Sequence, residues 1–457
     1  MKERFLSLLK GLECDYAEIR FEDTSKNSFR FSGKELENVN ESQSSGFAIR
    51  ALVDGNWGFA TFNDPNELEM RLKQAVAAAQ AAAKHSRHPF QLAPVDVLDL
   101  TIKAEPVVDP RAVPLADKLD LFGGYNKRIL ANEGITSSRV VYFDSFSRVV
   151  FANSEGTFVD REAIDLACSV NAIAMRGGDT RTGGVSQGSR NNFDIMRGLD
   201  SEVDEAVEEA LGKLDAKVVK AGTYTVVCDP HLAGVFVHEA FGHLSEGDNL
   251  ANDPAMQEIL TLGREFGSEH LHIYDSGLDV GMRGHVPVDD EGVLGQNTDL
   301  IKGGKLVGRL HSRETAGKLG EKATGNGRAI TYRHPPIPRM RNTCIAPGPD
   351  GTLEDLVKGV ELGIYAVDAY GGQTNGELFT FTAGDAFMIR NGEIAERVKD
   401  VTISGNVFNT LRNIDAIGSG FGNRDSAGGC GKAGQMPLPV SHGSPEVRIQ
   451  ECVIGGE

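Results

Sequence analysis

The sequence predicts an α+β fold of two domains, each built on antiparallel sheets with flanking helices, and a strand-rich C-terminal part. Short Gly-containing turns between alternating runs indicate β-hairpins, and helical segments occur in both halves. Regular alternation of strands with helices, which is typical of parallel sheets, is absent. The 457 residues suffice for two or three domains. We place the domain boundary near residue 220, which gives domains at 1–220 and 221–457.

Short turns predict hairpins in both domains. Residues 47–53 and 57–62 read as strands, and residues 54–56 (Asp-Gly-Asn) lie directly between them. Gly is favoured in such turns because it adopts positive φ without steric cost. An Asn-Gly pair at residues 391–392 indicates a second hairpin in the C-terminal domain.

After a short helix predicted at the opening residues, the N-terminal domain contains three longer predicted helices. Asp64 followed by Pro65 is typical of a helix start, with Asp as the N-cap and Pro in the first turn. This helix is Ala-rich, a composition that favours close packing on a sheet. Residues 91–113 form a Pro-containing connector. The helices are expected at residues 64–84, 115–131 and 201–214.

A strand followed by a buried helix opens the C-terminal domain. Residues 224–228 alternate as a strand, and Asp229 with Pro230 then repeats the helix-start pattern. Residues 232–237 are apolar all round, so we expect this helix to be buried. The rest of the domain reads mostly as strands and loops.

Composition and charge exclude several classes of protein. The net charge of −18 repels phosphate backbones, so no direct nucleic-acid binding is expected. The apolar run near the N-terminus is too short for a signal peptide, and no stretch reaches a membrane span. We therefore expect a cytoplasmic protein. Six scattered cysteines fit free thiols in a reducing compartment: Cys14, Cys168, Cys228, Cys344, Cys430 and Cys452.

The predicted buried helix continues into an HExxxH motif formed by His238, Glu239 and His243. Buried polar side chains need partners, and a metal ion satisfies them. The spacing is i, i+5, which places the histidines about 140° apart on a regular helix. A π-type turn brings such positions to one face. Since Gly242 eases distortion, we predict a distorted helix at residues 241–243.

From the motif alone, two readings stay open. The first is a metal site on this helix. The second is a pair of unrelated core histidines beside a surface Glu239. The apolar residues before the motif and residues 244–248 (LSEGD) after it favour the metal site without excluding the second reading.

Residues 238–248 (HEAFGHLSEGD) resemble the signature of the TldD/PmbA family, specifically its metallopeptidase branch, TldD. The N-terminal half agrees with this family in general layout only. Further blocks resemble the family pattern, occur in its order and cover residues 230–440: DDEG at 289–292, TGNGR at 324–328, PRMRN at 338–342, YGGQ at 370–373 and GCGKAGQ at 429–435.

The resemblance implies a zinc ion, Zn²⁺, held by His238, His243 and Cys430. Three protein ligands leave a fourth position for water, the arrangement of catalytic zinc. Two imidazoles and a thiolate also suit zinc better than magnesium or calcium. Glu239, beside a ligand but not itself one, is the expected general base.

Other third ligands remain open on sequence grounds. Cys228, His231, Glu246 and Asp248 are all near the motif. His231 lies two turns before His238, where a first-turn role is expected. Glu246 and Asp248 are expected to orient the ligands through hydrogen bonds.

Three further features have two readings each. Arg339 either holds a substrate carbonyl or carboxylate, or forms a structural ion pair. His270 and His272 form either a second metal pair or part of an exposed strand. Residues 289–292 either bind a cation or form an acidic turn.

The predicted function is hydrolysis of peptide bonds by a metal-activated water, with Glu239 as general base, and the resemblance implies unfolded or small peptides as substrates. The resemblance implies an assembly of two subunits with the site in an inner cavity. The assembly is either a homodimer or a heterodimer with a sister subunit that lacks HExxxH. Two alternatives are a non-catalytic peptide-binding or regulatory subunit and a purely structural metal. Only a peptidase requires Glu239 for turnover without requiring it for metal retention.

Overall fold

The first sheet lies entirely in the N-terminal half of the computed structural model, which describes residues 1–85 and 89–455. The order of its strands is β3-β2-β1-β5-β6-β4, and β7 pairs with the later part of β6. Most neighbours are antiparallel, but β4 runs parallel to β6. Strands β1 to β7 are Tyr16–Ser32, Glu35–Val53, Asn56–Phe62, Asp99–Ile102, Ile135–Asn153, Phe158–Arg176 and Asp179–Ser189.

The hairpin predicted at residues 54–56 is confirmed. Asp54 and Gly55 form a two-residue turn between β2 and β3, with φ angles of 47° and 74°. A Cβ atom at Gly55 would lie 2.5 Å from the backbone nitrogen of Phe90. Both the positive φ and the close approach therefore require glycine at this position.

Helices cover the first sheet at the predicted places. Asp64 accepts a hydrogen bond from the Asn66 backbone N–H, and a 3₁₀ turn at Pro65–Glu67 precedes the Ala-rich helix. This helix, α2, packs on β2 and β3, and α4 packs on β6 and β7. Helices α1 to α4 are Lys2–Leu8, Leu68–Ala83, Leu115–Leu130 and Asp200–Asp215.

The connector predicted at residues 91–113 contains one strand that the sequence did not predict. Strand β4 pairs in parallel with the start of β6. Its Leu100 packs with Phe151 and Val159 of the sheet and with Val288 of the C-terminal half. The short apolar pattern was hidden by the flanking prolines and polar residues, so tertiary packing decides this element.

The C-terminal half contains the remaining strands and several short helices. Strands β8 to β25 are Lys217–Val218, Gly222–Cys228, Ile273–Ser276, Asn297–Lys302, Lys305–Leu306, Gly327–Arg328, Ile337–Pro338, Asn342–Ile345, Leu362–Asn375, Leu378–Arg390, Glu393–Lys399, Thr402–Asn406, Ile414–Ile417, Gly422–Arg424, Cys430–Lys432, Gln435–Leu438, Ser441–Ser444 and Val447–Gly455. Helices α5 to α10 are Pro230–Val237, Asp248–Ala251, Pro254–Ile259, Arg313–Leu319, Leu353–Val357 and Val407–Arg412.

Two sheets enclose the C-terminal core. The larger has the order β16-β9-β25-β19-β17-β18-β8, and β20 pairs with β25. Because β16 also pairs with β17, five of these strands form a closed ring. The smaller sheet has the order β12-β11-β10-β15-β24-β21. Helix α5 packs between the two sheets, against β16 on one side and β15 and β24 on the other.

The fold is thus α+β with mainly antiparallel sheets, as the sequence predicts. The domain division near residue 220 stays a prediction, since β8 lies before this point and pairs with β18 in the C-terminal sheet. Within residues 1–85 and 89–455, every helix is too short or too polar to cross a membrane.

Candidate metal centre

The motif helix begins as predicted and then changes its hydrogen-bond register. The Asp229 side chain accepts from the Leu232 backbone N–H at 2.7 Å, and Pro230 occupies the first turn. Helix α5 then runs into a π-helical turn at His238–Gly242. The N–H of His243 donates to the carbonyl of His238 at 3.2 Å. The predicted distortion is confirmed, although it starts at His238, three residues earlier than expected.

The π turn brings the two motif histidines together. Their ring centroids lie 5.3 Å apart. Cys430, the first residue of β22, reaches the same place from a distant hairpin, with its Sγ 3.4 Å from Nε2 of His243. One donor atom from each of these three residues lies within 4.8 Å of the others. Among the described residues, no other group of three or more His, Cys, Asp or Glu side chains converges in this way.

This donor set fits a single zinc ion. Zinc binds imidazole nitrogen at about 2.0–2.1 Å and thiolate sulfur at about 2.3 Å, so donors around one ion lie about 3–4 Å apart. The 3.4 Å between Cys430 and His243 agrees with this spacing. The Nδ1 atom of His238 is buried and has no hydrogen-bond partner among the described residues. One of the two ring nitrogens of His238 therefore still lacks a partner, whereas the ring as a whole already interacts with Cys430.

The charges of the three donors stabilise one another. Burial raises the pKa of the Cys430 thiol, but the two histidines outweigh burial and lower this pKa to about 5. Burial disfavours a charged His243, yet bonds to Cys430 and Glu246 raise its pKa to about 11. The pKa of His238 is raised as well, since the charge of Cys430 offsets its burial. The sulfur is thus a thiolate at neutral pH, the form that ligates metals.

Glu246 contacts His243 on the side of the ring away from Cys430, and Lys432 contacts Glu246. Oε2 of Glu246 lies 3.0 Å from Nδ1 of His243 and 2.9 Å from Nζ of Lys432. Glu246 is fully buried, and burial raises its pKa, but Lys432 and His243 lower it to about 2. Asp248 contacts Lys432 at 2.6 Å. Glu246 therefore orients a candidate ligand directly, whereas Asp248 acts one contact further away, through Lys432.

Glu239 faces the cavity beside the donors. Its Oε2 lies 4.0 Å from Nε2 of His243, and its side chain is 21% exposed. The backbone carbonyl of Glu239 accepts a hydrogen bond from Thr374 at 2.6 Å. A Cβ atom placed on Gly372 would lie 3.2 Å from Cγ of Glu239. Strand β16 therefore lies directly against the carboxylate that the sequence marks as a general base.

The site opens onto a cavity of about 1880 Å³ between the two halves of the chain. Strand β7 and helix α4 of the N-terminal half line one side. The π turn, strand β16 and the loop before β22 line the other. The residues of the candidate site that line this cavity are His238, Glu239, His243, Glu246, Cys430 and Lys432.

Arg339 lies away from this cavity surface. Its side chain is fully buried, and the guanidinium donates to the carbonyls of Cys430 at 2.8 Å and Gln435 at 3.2 Å. The substrate-binding reading of Arg339 therefore has no support in the geometry, because no part of it lines the cavity. The arginine holds the hairpin that carries Cys430.

The other third-ligand candidates lie outside the donor set. Nδ1 of His231 lies 2.8 Å from Asp368, and its ring stacks on His442 with centroids 4.9 Å apart. Cys228 is fully buried on β9. The sequence argument for either residue was proximity along the chain, and neither joins the group of donors formed by His238, His243 and Cys430.

The remaining sequence candidates are structural. His272 does not lie in a strand but just before β10, and its Nε2 pairs with Asp299 at 2.8 Å. Asp289, in the acidic turn at 289–292, is fully paired: it accepts from the backbone N–H groups of Glu291, Val293 and Gly327. The strand reading of His270 and His272 is wrong, because residues 269–272 form a turn and loop before β10, and the partner of His272 is Asp299 and not a second metal-binding histidine. The contacts of Asp289 favour the acidic turn over a cation site.

Three residues of the site had no role in the sequence analysis. Lys432 lies inside the GCGKAGQ block and was not assigned a partner. Gly372 lies inside the YGGQ block, and Thr374 lies one residue beyond it. The position of Lys432 two residues after the candidate ligand Cys430 places it near the site, but the sequence does not indicate its carboxylate partners. For Gly372 and Thr374 the sequence carries none, since their contacts depend on how β16 packs.

Comparison with known proteins agrees with this geometry. Models of the PmbA/TldA metallopeptidase family match the chain as domain 1 at residues 17–83, the central domain at 108–214 and the C-terminal domain at 221–456. The chain belongs to the PmbA/TldD family, which confirms the resemblance read from the motifs.

Individual relatives align over nearly the whole chain. A metalloprotease of Synechocystis sp. is 45% identical over 97% of this chain and 96% of its own length. A zinc metalloprotease TldD homolog of Saccharolobus solfataricus is 27% identical over 99% of both chains. The crystal structure of TldE from Thermococcus kodakarensis covers 99% of both chains with a TM-score of 0.78 at 18% identity. That structural likeness shows the shared fold.

Proposed function

We propose that this protein is a zinc-dependent metallopeptidase that hydrolyses unfolded or small peptides. The observation that carries the proposal is the convergence of His238, His243 and Cys430 beside Glu239 on the wall of one large cavity. Relatives that align over almost the full chain are named metalloproteases, one of them a zinc metalloprotease. These names and the donor chemistry support the same conclusion.

The site residues have two proposed roles, which are metal ligation and proton transfer. A zinc ion held by His238, His243 and Cys430 supplies a Lewis acid and makes a nearby water more acidic. Glu239 takes a proton from the attacking water and returns it to the leaving amine. Its carboxylate is 4.0 Å from a ligand nitrogen and partly exposed, so it reaches both the donors and a peptide in the cavity. Glu246 fixes the ring of His243.

The cavity favours extended chains as substrates. Its volume of about 1880 Å³ accommodates a peptide segment but not a folded domain. In the described part of the chain, β16 pairs with β9 only as far as Ala366, and beyond it with β17 alone. Residues 367–374 of β16 line the cavity beside Glu239. An extended peptide can add to such a strand edge through main-chain hydrogen bonds.

We further propose that the protein works in a two-subunit assembly in the cytoplasm. The partner is a second copy or a sister subunit that lacks HExxxH. The likeness to a solved TldE chain supports the second choice. A cytoplasmic setting agrees with the six free cysteines among the described residues, because Cys430 must stay reduced to serve as a ligand.

The test is cleavage of an unstructured protein such as casein, followed by mass spectrometry. Wild type, Glu239→Gln and a chelator-treated sample run in parallel, and bound zinc is counted in each. We expect chelator-sensitive cleavage by wild type and loss of cleavage in Glu239→Gln with zinc retained. Zinc without cleavage, also after addition of a sister subunit, would favour the non-catalytic regulatory role. No bound metal would overturn the site.

A further inference from the structure

We infer that Thr374, near the end of β16, holds the π turn of the motif helix and so positions both candidate histidine ligands. The inference concerns a positioning residue and rests on the proposed metal site. It starts from one hydrogen bond: Oγ1 of Thr374 donates to the backbone carbonyl of Glu239 at 2.6 Å, across 135 residues of sequence.

The π turn creates the need for this bond. In a regular α-helix the N–H of His243 donates to the carbonyl of Glu239, four residues earlier. Here it donates to the carbonyl of His238, five residues earlier. The carbonyl of Glu239 thereby loses its usual helical donor. Thr374 replaces that donor from outside the helix.

The backbone carbonyl of Glu239 lies next to tightly packed residues. Ala240 and Phe241, which follow Glu239, are fully buried. A carbonyl left without a donor in such surroundings destabilises the conformation that exposes it. The hydroxyl of Thr374 donates to this carbonyl and so removes the penalty from the π turn. The α-helical register, in which His243 would donate to the same carbonyl, is then no longer favoured by that bond. The bond from Thr374 therefore favours the register in which His238 and His243 share one face.

Strand β16 is fixed well enough to act as this support. Thr374 lies opposite Phe379 in the β16–β17 ladder. The rings of Phe379 and Phe381 lie 5.5 and 5.8 Å from the ring of Phe236 on α5. Apolar packing thus fixes the hairpin to the same helix whose last turn it supports. Gly372 allows the close approach, since a Cβ there would lie 3.2 Å from Cγ of Glu239.

Loss of the hydroxyl has a defined consequence. Without it, the N–H of His243 regains its α-helical acceptor, the carbonyl of Glu239. That change rotates His243 away from His238, because i and i+5 lie about 140° apart on an α-helix. The donor atoms that now lie within 4.8 Å then separate, and zinc binding weakens.

The experiment compares Thr374→Val, which keeps the shape but removes the hydroxyl, with Thr374→Ser, which keeps the hydroxyl. Thr380→Val is the matched control, because Thr380 lies on the paired strand and its Oγ1 contacts Ser404 at 3.2 Å. The zinc dissociation constant is measured by chelator competition without substrate. The absorption spectrum of the cobalt-loaded protein reports ligand geometry, and circular dichroism reports folding.

We expect Thr374→Val to bind zinc about 10–100-fold more weakly and to change the cobalt spectrum, as removal of groups that orient ligands does. Thr374→Ser and Thr380→Val should match wild type in both readouts. If Thr374→Val is unfolded, Thr374→Ala replaces it, with the same expectation. Wild-type zinc affinity and an unchanged cobalt spectrum in a folded Thr374→Val or Thr374→Ala protein would overturn the inference.

These readouts separate the inference from the proposed function. If wild type binds zinc but cleaves no peptide, the peptidase proposal fails, while the zinc affinities still test Thr374. If wild type cleaves casein and Thr374→Val keeps full zinc affinity, the peptidase proposal stands and the role of Thr374 is rejected.

Discussion

Oε2 of Glu246 lies 3.0 Å from Nδ1 of His243, on the side of the ring opposite the contact between Nε2 and Cys430. A carboxylate at Nδ1 keeps a proton on that nitrogen, so Nε2 is the nitrogen that can face a metal ion once its own proton has been displaced. The contact therefore sets both the orientation of His243 and its protonation pattern. It gives a buried carboxylate a role that its position in the sequence only suggested.

Replacement of Glu246 tests this relationship. Glu246→Ala should weaken zinc binding about 10–100-fold, because the ring of His243 loses its orienting partner and Lys432 loses one of its carboxylates. Asp248→Asn is the control and should have a smaller effect, since Asp248 contacts Lys432 and not the histidine. Chelator competition measures both. Equal losses in the two variants would contradict a direct role for Glu246.

Gly372→Ala should slow turnover and leave zinc bound. The added methyl group meets Cγ of Glu239 at 3.2 Å and Cβ of Phe381 at 3.0 Å, so the carboxylate has to shift. A misplaced general base costs about 10²–10⁴-fold in rate at most. Steady-state cleavage of a labelled peptide should therefore show a lower kcat with unchanged zinc content. A rise in KM alone would mean that Gly372 instead limits substrate entry.

Cys430 should be the cysteine that reacts first in metal-free protein. The two histidines outweigh burial and lower its pKa to about 5, so its alkylation rate by iodoacetamide should level off above about pH 6. Bound zinc should protect it. Peptide mapping over a pH series measures this. Burial raises the pKa of the other five cysteines: Cys14, Cys168, Cys228, Cys344 and Cys452.

An alkylation midpoint between pH 8 and 9 at Cys430 would contradict the thiolate assignment, because that is the range of an ordinary thiol. Equal protection of all six cysteines by zinc would instead indicate general stabilisation of the fold. His243→Ala is a matched check, since it removes one of the two imidazoles that lower the pKa of the thiol.

Arg339→Met should destabilise the Cys430 hairpin. It removes the donors to the carbonyls of Cys430 and Gln435, at about 1–3 kcal/mol for each buried acceptor left without a partner. Thermal unfolding should occur at a lower temperature and zinc affinity should fall. An unchanged unfolding temperature and zinc affinity with a higher KM would restore the substrate-binding reading that the geometry does not support.

Local features of the fold and site followed from the sequence. The turn at Asp54 and Gly55 requires positive φ, which few residues adopt. Because the residue types that adopt it are recognisable in the sequence, the turn could be predicted. The i, i+5 spacing of His238 and His243 is incompatible with one face of an α-helix, so a π turn could be predicted from the motif and the apolar residues before it.

Long-range features did not follow. The hydrogen bond between Thr374 and Glu239 spans 135 residues, and the contact between Lys432 and Glu246 spans an even larger part of the chain. Neither leaves a periodic or compositional trace. Arg339 shows the converse: an arginine inside the PRMRN block left substrate contact open as one of two readings, whereas in the fold its buried guanidinium donates to backbone carbonyls.

The order in which the ligands are synthesised follows from the position of Cys430. This cysteine lies 187 residues after His243. A ribosome therefore completes the motif helix 187 residues before it adds the third candidate ligand. During that interval the nascent chain carries only two of the three donors. The proposed metal site, and with it the proposed peptidase activity, is therefore incomplete until the Cys430 hairpin has been made and has packed against the motif helix.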